Sequence, residues 1–260
     1  HLAAQASVAR SWGDPAGTLS NNILSELNLL QGVTRAKIDP RILVIGSNEE
    51  YGLTPPEELP STEETPLRPI NPYGVSKICQ DFLGYQYFSS QGLHLVRVRP
   101  FNHTGPRQSD EFFIPSIARQ IAEAEAGISE PVIYVGNLKA ERDFTDVRDM
   151  VKAYRLAILY GKPGEVYNIG SGKATSLEWV VDFFLKNSRV NISVEQDQSR
   201  IRPRDATVSL CDYSKLKRET GWTPQIPLEH TLRDVLEYWR SKSMSNRRIT
   251  TEVGKDNFFF

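Results

Sequence analysis

The sequence predicts an α/β fold, a doubly wound parallel sheet followed by a smaller α/β domain. Three observations predict it. Residues 41–47, 93–100 and 165–169 are short apolar runs rich in β-branched side chains, and the first turns polar at its end, as buried parallel strands do. Helical segments lie between them, as parallel crossovers require. After Thr175 the composition changes to a second set of helices around one short strand and a basic loop.

In chain order, Leu19, Ile23, Leu27 and Leu30 give residues 18–32 the period of an amphipathic helix ending at Gly32. The strand at 41–47 follows. Prolines at 55, 56, 60, 66, 69 and 72 make residues 53–72 an ordered loop of the kind found beside a site. Pro72 suits the first turn of a helix over 73–91. The strand at 93–100 runs into a loop, residues 101–106, at the edge where ligands of open α/β sheets gather. Residues 112–127 read as a helix, 131–135 as a short strand, 146–160 as a helix capped by Asp146, and 165–169 as a strand. Beyond them come a helix to 185, a strand at 192–195, and helices at 214–220 and 228–242. Residues 243–260 show no helical or strand period and read as a disordered tail.

The 260 residues carry 31 basic and 32 acidic side chains, a formal net charge of −1, which gives no electrostatic case for nucleic acid or an anionic membrane surface. Cys79 and Cys211 have neither metal spacing nor a disulfide framework and read as small packing residues of a reducing compartment. No apolar run approaches a bilayer span and no signal peptide opens the chain, so the expectation is a soluble cytoplasmic protein. No cluster of His or carboxylates points to a metal.

The chemistry is carried by Tyr73 and Lys77, which stand at i and i+4 on one helical face, so that an ammonium lies beside a phenol. A nearby cation lowers a phenol's proton affinity, and such a tyrosine exchanges a proton with a carbonyl or alcohol oxygen while hydride moves at the same carbon. Ser47, at the polar end of a strand, would hold that oxygen. The spacing alone also fits an ordinary solvated pair; the placement of Ser47 favours the catalytic reading.

His1-Leu2-Ala3-Ala4, Tyr73-x-x-x-Lys77, Arg99-Pro100-Phe101-Asn102, Arg142-Asp143-Phe144-Thr145-Asp146-Val147-Arg148-Asp149 and Tyr167-Asn168-Ile169-Gly170 resemble, in order, the motifs of extended short-chain dehydrogenases/reductases acting on nucleotide sugars. The resemblance covers nearly all of residues 1–242. Residues 101–109 and 136–144 most resemble GDP-6-deoxy-4-keto-mannose reductases, which form GDP-rhamnose; GDP-mannose 4,6-dehydratases share the Phe-Asn-His and Gly-Asn-Leu stems and continue differently. The fold implied is Rossmann-like, with a cofactor domain over 1–106 and 146–172, a C-terminal α/β substrate-binding domain over 107–145 and 173–242, and the tail at 243–260. No glycine-rich phosphate turn follows a strand, so the sheet is expected to be N-terminally incomplete.

The resemblance implies reduction of a C4 ketone on a GDP-linked deoxyhexose with NADP or NAD as cofactor. It makes Ser47 the oxygen-orienting hydroxyl, Tyr73 the acid/base, and Lys77 the group that depresses the tyrosine pKa and holds the nicotinamide ribose. Ala3, Ala4 and Pro100 would line the cofactor, and Asn48, Asn102, Arg142 and Arg202 the substrate. For Asn102 an Asx turn stays open, for Arg142 an internal ion pair, and for Arg202 a solvated face. Glu49 keeps dehydration open, because dehydratases of the family use a glutamate there. A third possibility is a non-catalytic nucleotide-sugar-binding protein, motivated by the missing phosphate turn. By resemblance, the helices at 18–32 and 73–91 form the four-helix interface of a homodimer.

Overall fold

The computed structural model describes residues 1–201 and 204–253, with side chains described as far as residue 245. Its helices are α1 (Val8–Gly13), α2 (Pro15–Ala36), α3 (Pro72–Gln91), α4 (Phe113–Glu125), α5 (Val147–Tyr160), α6 (Leu177–Lys186), α7 (Ser214–Thr220) and α8 (Leu228–Val253). The strands are β1 (Ile42–Ile45), β2 (Leu95–Pro100), β3 (Asn102–Thr104), β4 (Val132–Val135), β5 (Glu141–Asp146), β6 (Val166–Ile169), β7 (Ala174–Ser176), β8 (Ser193–Gln196) and β9 (Val208–Ser209).

Two compact units emerge, the first of His1–His103, Ala140–Thr175 and Pro203–Gln225, the second of Thr104–Lys139, Ser176–Arg202 and Ile226–Phe260. In the first, β1, β2 and β6 form a parallel sheet in that order, with Ile45 opposite Val98 and Pro100 opposite Ile169. Alternation along β1 sends Ile42 and Val44 to one face, where they pack with Leu30, Val33 and Leu95, and Leu43 to the other, with Met150, Ala153, Ala157 and Trp222. Helices α2 and α3 thus cover one face and α5 and α7 the other, the doubly wound arrangement expected. In the second unit α4 packs on α8 and α6, β4 pairs in parallel with β8, and the Arg240 guanidinium meets Glu125 at 2.6 Å with little exposure on either side chain.

Helix boundaries follow local chemistry. Asn71 caps α3 by accepting from the Gly74 amide (2.8 Å), Pro72 fills the first turn, and Gly92 closes the helix in the left-handed region at φ 69°. Asp146 caps α5 as expected, accepting from the Arg148 amide at 2.8 Å.

Several elements differ from expectation. Strand β3 lies in the loop expected over 101–106 and β9 in the expected basic loop, helix α1 and strands β5 and β7 fall where no element was expected, and residues 140–145 and 204–225 cluster with the first unit. The reason is tertiary: β5 pairs with β9, Glu141 opposite Val208 and Arg142 opposite Ser209, and Trp222 inserts into the core beside α5. Helix α8 continues to Val253 where a tail was expected from 243; residues 254–260 of that tail lie outside the described residues. Among the described residues no helix is long and apolar enough to cross a membrane.

Tyr167, fully buried on β6, donates its hydroxyl to Glu219 (2.6 Å) and accepts from the Lys162 amide (2.9 Å). Tyr167→Phe strands both partners, and chemical denaturation is expected to show a loss of about 1–3 kcal/mol.

Candidate active site

Strand β1 delivers Gly46 and Ser47 to its carboxyl end, and residues Asn48–Glu50 then make one 3₁₀ turn capped by Ser47, whose hydroxyl accepts from the Glu49 amide at 3.2 Å. The first turns of α3 bring the buried Tyr73 phenol into hydrogen bonding with the Ser47 side chain. Lys77, one turn on, lies with its Nζ 5.8 Å from the Tyr73 ring centroid and donates to the Ile45 carbonyl at 2.9 Å. The structure therefore brings Ser47, Tyr73 and Lys77 together.

Their electrostatics correct one expectation. Burial raises the Tyr73 phenol above its ordinary value, opposed by the Ser47 hydrogen bond and reinforced by the charges of Glu49 and Glu50. Burial also lowers the Lys77 ammonium to about 8, against the pull of Glu50 and Glu26. Burial dominates, so the phenol is raised rather than depressed and keeps its proton at neutral pH.

Glu49 stands beside the pair. Its Oε2 accepts from Asn71 Nδ2 at 2.7 Å, so the residue that caps α3 also holds this carboxylate. Gly74 permits the approach, because a Cβ there would stand 2.5 Å from the Glu49 carbonyl oxygen. A cleft next to Glu49 is lined by Asn48, Tyr51, Phe101, Arg142 and Asp205. Asn48 Nδ2 donates to Ser209 Oγ at 3.0 Å, which ties the turn to β9.

Of the expected substrate residues, Arg142 is spoken for: its guanidinium pairs with Asp205 (2.6 Å) and donates to the carbonyls of Glu141 and Ala206, both at 2.8 Å. The internal ion pair is what the structure shows for it. Asn102, on β3, has a buried Oδ1 that lacks a hydrogen-bond partner among the described residues, so this side chain is not closing an Asx turn through that oxygen. Arg202 lies outside the described residues. Pro100 ends β2 beside Ile169, and Ala3 and Ala4 lie in the irregular segment before α1. Cys211 is a packing residue beside Tyr51 and Phe101, and no group of metal ligands occurs among the described residues.

Sequence reasoning missed three buried polar residues behind the site. Asn22 on α2 donates to Ser76 Oγ (2.9 Å) and exchanges hydrogen bonds with the Gln5 backbone (2.7 and 3.0 Å), joining the first segment to the Tyr73 helix. Glu26 lies one turn further, fully buried. Glu50, also fully buried, accepts from the Ser47 amide at 2.7 Å. A polar residue breaking the apolar stripe of 18–32 is the signal that would have found the first two.

Burial raises the Glu26 carboxyl from 4.5 to about 8, opposed by the charges of Lys77 and the first residue's amino group, reinforced by Asp81, and opposed by Gln80. A raised folded value means its contribution is intact below pH 4.5 and lost as pH rises through about 8. Glu26→Gln should therefore raise Tm relative to the parent more at about pH 8.5 than at about pH 5, by roughly 2–4 °C per kcal/mol of relief, measured by calorimetry.

Comparison with known proteins follows the same lines. A family model described as GDP-mannose 4,6 dehydratase matches residues 1–235. The chain is 36% identical over 242 residues to GDP-6-deoxy-D-mannose reductase of Pseudomonas aeruginosa, covering 93% of this chain and 80% of that one. To GDP-mannose 4,6 dehydratase 2 of Arabidopsis thaliana it is 31% identical over 91% of its length, and it spans 64% of that protein. Among solved structures, RMD from Pseudomonas aeruginosa complexed with NADPH superposes with a TM-score of 0.88 at 36% identity, over 93% of this chain and 80% of that one. UDP-glucose 4-epimerase of Thermotoga maritima superposes with a TM-score of 0.81 at 29% identity, over 93% and 76%.

Proposed function

The chain belongs to the GDP-mannose 4,6-dehydratase family of extended short-chain dehydrogenases/reductases, and from that premise we propose that it reduces the C4 ketone of a GDP-linked 6-deoxy-4-keto-hexose to the alcohol of a GDP-rhamnose-type product. The observation that carries this reading is the meeting of Ser47, Tyr73 and Lys77 at the carboxyl end of β1. Its similarity to the Pseudomonas aeruginosa reductase supports the substrate class.

In this reading the ketone oxygen sits between Ser47 and Tyr73. Ser47 orients it and Tyr73 donates its proton as charge develops there. NADPH or NADH, when bound, supplies the hydride. The residues present suit its nicotinamide ribose: among the described residues the Lys77 ammonium, with three N–H groups, makes one hydrogen bond, to Ile45. Asn102, with its unpartnered buried Oδ1, fits a donor on the sugar. Arg142 acts through Asp205 as part of the cleft wall. Interactions with the remote nucleotide would hold the ketone in place.

A second reading, GDP-mannose 4,6-dehydratase, is favoured by one feature, the Glu49 carboxylate at the cleft. Net loss of NADPH absorbance with GDP-4-keto-6-deoxy-mannose, measured on this chain and on any longer natural form, separates the two: steady consumption supports the reductase, whereas dehydration of GDP-mannose without net consumption overturns it. Tyr73→Phe should lower kcat by a factor on the order of 100 to 10,000 with sugar-nucleotide binding retained.

The assembly we propose is a homodimer through α2 and α3, supported by the exposure of Leu24 and Leu29 on α2 and of Val75, Phe82 and Tyr85 on α3. Phe82→Glu is expected to shift the species in sedimentation velocity from dimer to monomer; a parent chain that sediments as a monomer overturns the assembly.

A further inference from the structure

The chemistry proposed above uses Ser47, Tyr73 and Lys77 and leaves Glu50 without a role, although Glu50 is wholly buried next to them. Its Oε1 accepts from the Ser47 amide at 2.7 Å. Its Oε2 lies 3.0 Å from Arg99 Nε, yet that N–H is directed at Asp81 Oδ2, 2.7 Å away. Asp81 sits on α3, one turn beyond Lys77, and is gripped further by Arg99 and Arg97. Gly46 makes room for the arrangement, since a Cβ there would stand 2.3 Å from Glu50 Oε1 and 2.9 Å from the Val98 carbonyl.

We propose that Glu50 is a positioning residue for the reaction: hydrogen-bonded to the Ser47 amide on one side and packed 3.0 Å from Arg99 Nε of the Arg99–Asp81 pair on the other, it fixes the Ser47 hydroxyl relative to the helix that carries Tyr73 and Lys77. The proposal rests on the reductase reading only for its kinetic arm. Glu50 Oε2 has no hydrogen-bond partner among the described residues, whereas both oxygens of Asp81 are met by the guanidinium groups of Arg97 and Arg99, so a proton is held on buried Glu50 rather than on Asp81. With Arg99 Nε–H committed to Asp81, Glu50 Oε2 is the oxygen that carries it. Burial and the Asp81 charge both favour neutral Glu50, whereas the charges of Arg99 and Arg97 hold Asp81 ionised.

Neutral Glu50 makes a sharp distinction between two small substitutions. Glu50→Gln keeps the length, accepts from Ser47 through its amide oxygen and puts a neutral amide nitrogen where Oε2 lies. Glu50→Asp keeps the acid but is one methylene too short to reach both the Ser47 amide and Arg99. Glu50→Gln should hold kcat within about 3-fold of the parent, whereas Glu50→Asp should lower kcat on the order of 10- to 100-fold with KM within about 3-fold, as expected for a displaced catalytic group. In a Ser47→Ala background the Glu50→Asp loss should shrink to about 3-fold or less, because the group it positions is gone. Hydrogen exchange of peptides spanning residues 46–51 supplies a readout that needs no turnover: exchange should rise in Glu50→Asp and stay at the parent level in Glu50→Gln. Equal harm from both substitutions, an undiminished Asp penalty in the Ser47→Ala background, or unchanged exchange in Glu50→Asp overturns the proposal. A parent chain that reduces no GDP-keto-sugar sinks the reductase reading alone, and the exchange comparison still decides the role of Glu50.

Discussion

Two arginines on the central strand of the parallel sheet point into the protein rather than out of it, and much of the first unit is arranged to make that tolerable. Arg97 and Arg99 on β2 share a face with Leu95, under α3, and are almost completely buried. An unpaired guanidinium there would cost several kcal/mol. Asp81 meets both of them, the Gly164 carbonyl takes a second bond from Arg97 (2.7 Å), and the Glu63 carbonyl and Tyr51 hydroxyl take others from Arg99 (3.3 and 3.1 Å). Tyr51 in turn donates to Asn168 at 2.6 Å, and Asn168 holds the Ser61 carbonyl at 2.9 Å. One charge cluster thereby fixes α3, the proline-rich loop and the end of β6 to the same strand. Breaking one member leaves a partner charged and buried, so such a cluster penalises alternative packings more than it adds net stability.

That cluster surfaces at the site through the 3₁₀ turn. Glu50 reaches it from beneath Ser47, Tyr51 from the other side of the turn, and Asn71 secures the turn again by bonding Glu49. Three consecutive side chains therefore do three different things: Glu49 faces the cleft, Glu50 the charge cluster and Tyr51 the core beside Phe101. A loop fixed by backbone propensity alone would leave the Ser47 hydroxyl to wander, and geometry at a reacting oxygen is worth orders of magnitude in rate.

The alternating and helical periods made the three parallel strands and the helices between them legible, because those elements bury continuous apolar faces. Ser47, Tyr73 and Lys77 were legible for a different reason: side-chain chemistry at a strand end and at i, i+4 is written in the sequence directly. What was not legible is polar and tertiary. Strand β5 reads Glu-Arg-Asp-Phe-Thr-Asp and looks like a solvated loop, yet Asp143 is buried there accepting amides of Ser171 (2.6 Å), Gly172 (2.9 Å) and Cys211 (3.1 Å) from segments distant in sequence. Arg142 offered two roles that only its partner could decide, and Asp205 is 63 residues away. Glu50 beside Glu49 looks like one of a pair of surface acids; its burial depends on Gly46 and on Arg99 of another strand.

The same burial acts on both members of the Tyr73–Lys77 pair. An acid at neutral pH must hold its proton until the substrate oxygen becomes basic, and desolvation of the phenol ensures that it does. Desolvation acts oppositely on the ammonium, which binds its proton less tightly than an exposed lysine does, with a value of about 8. In the proposed reduction the anion left on Tyr73 would face a cation that is charged at neutral pH and poorly solvated, the state in which attraction between opposite charges is least screened. Proton loss from Tyr73 is thus discouraged before hydride arrives and compensated afterwards.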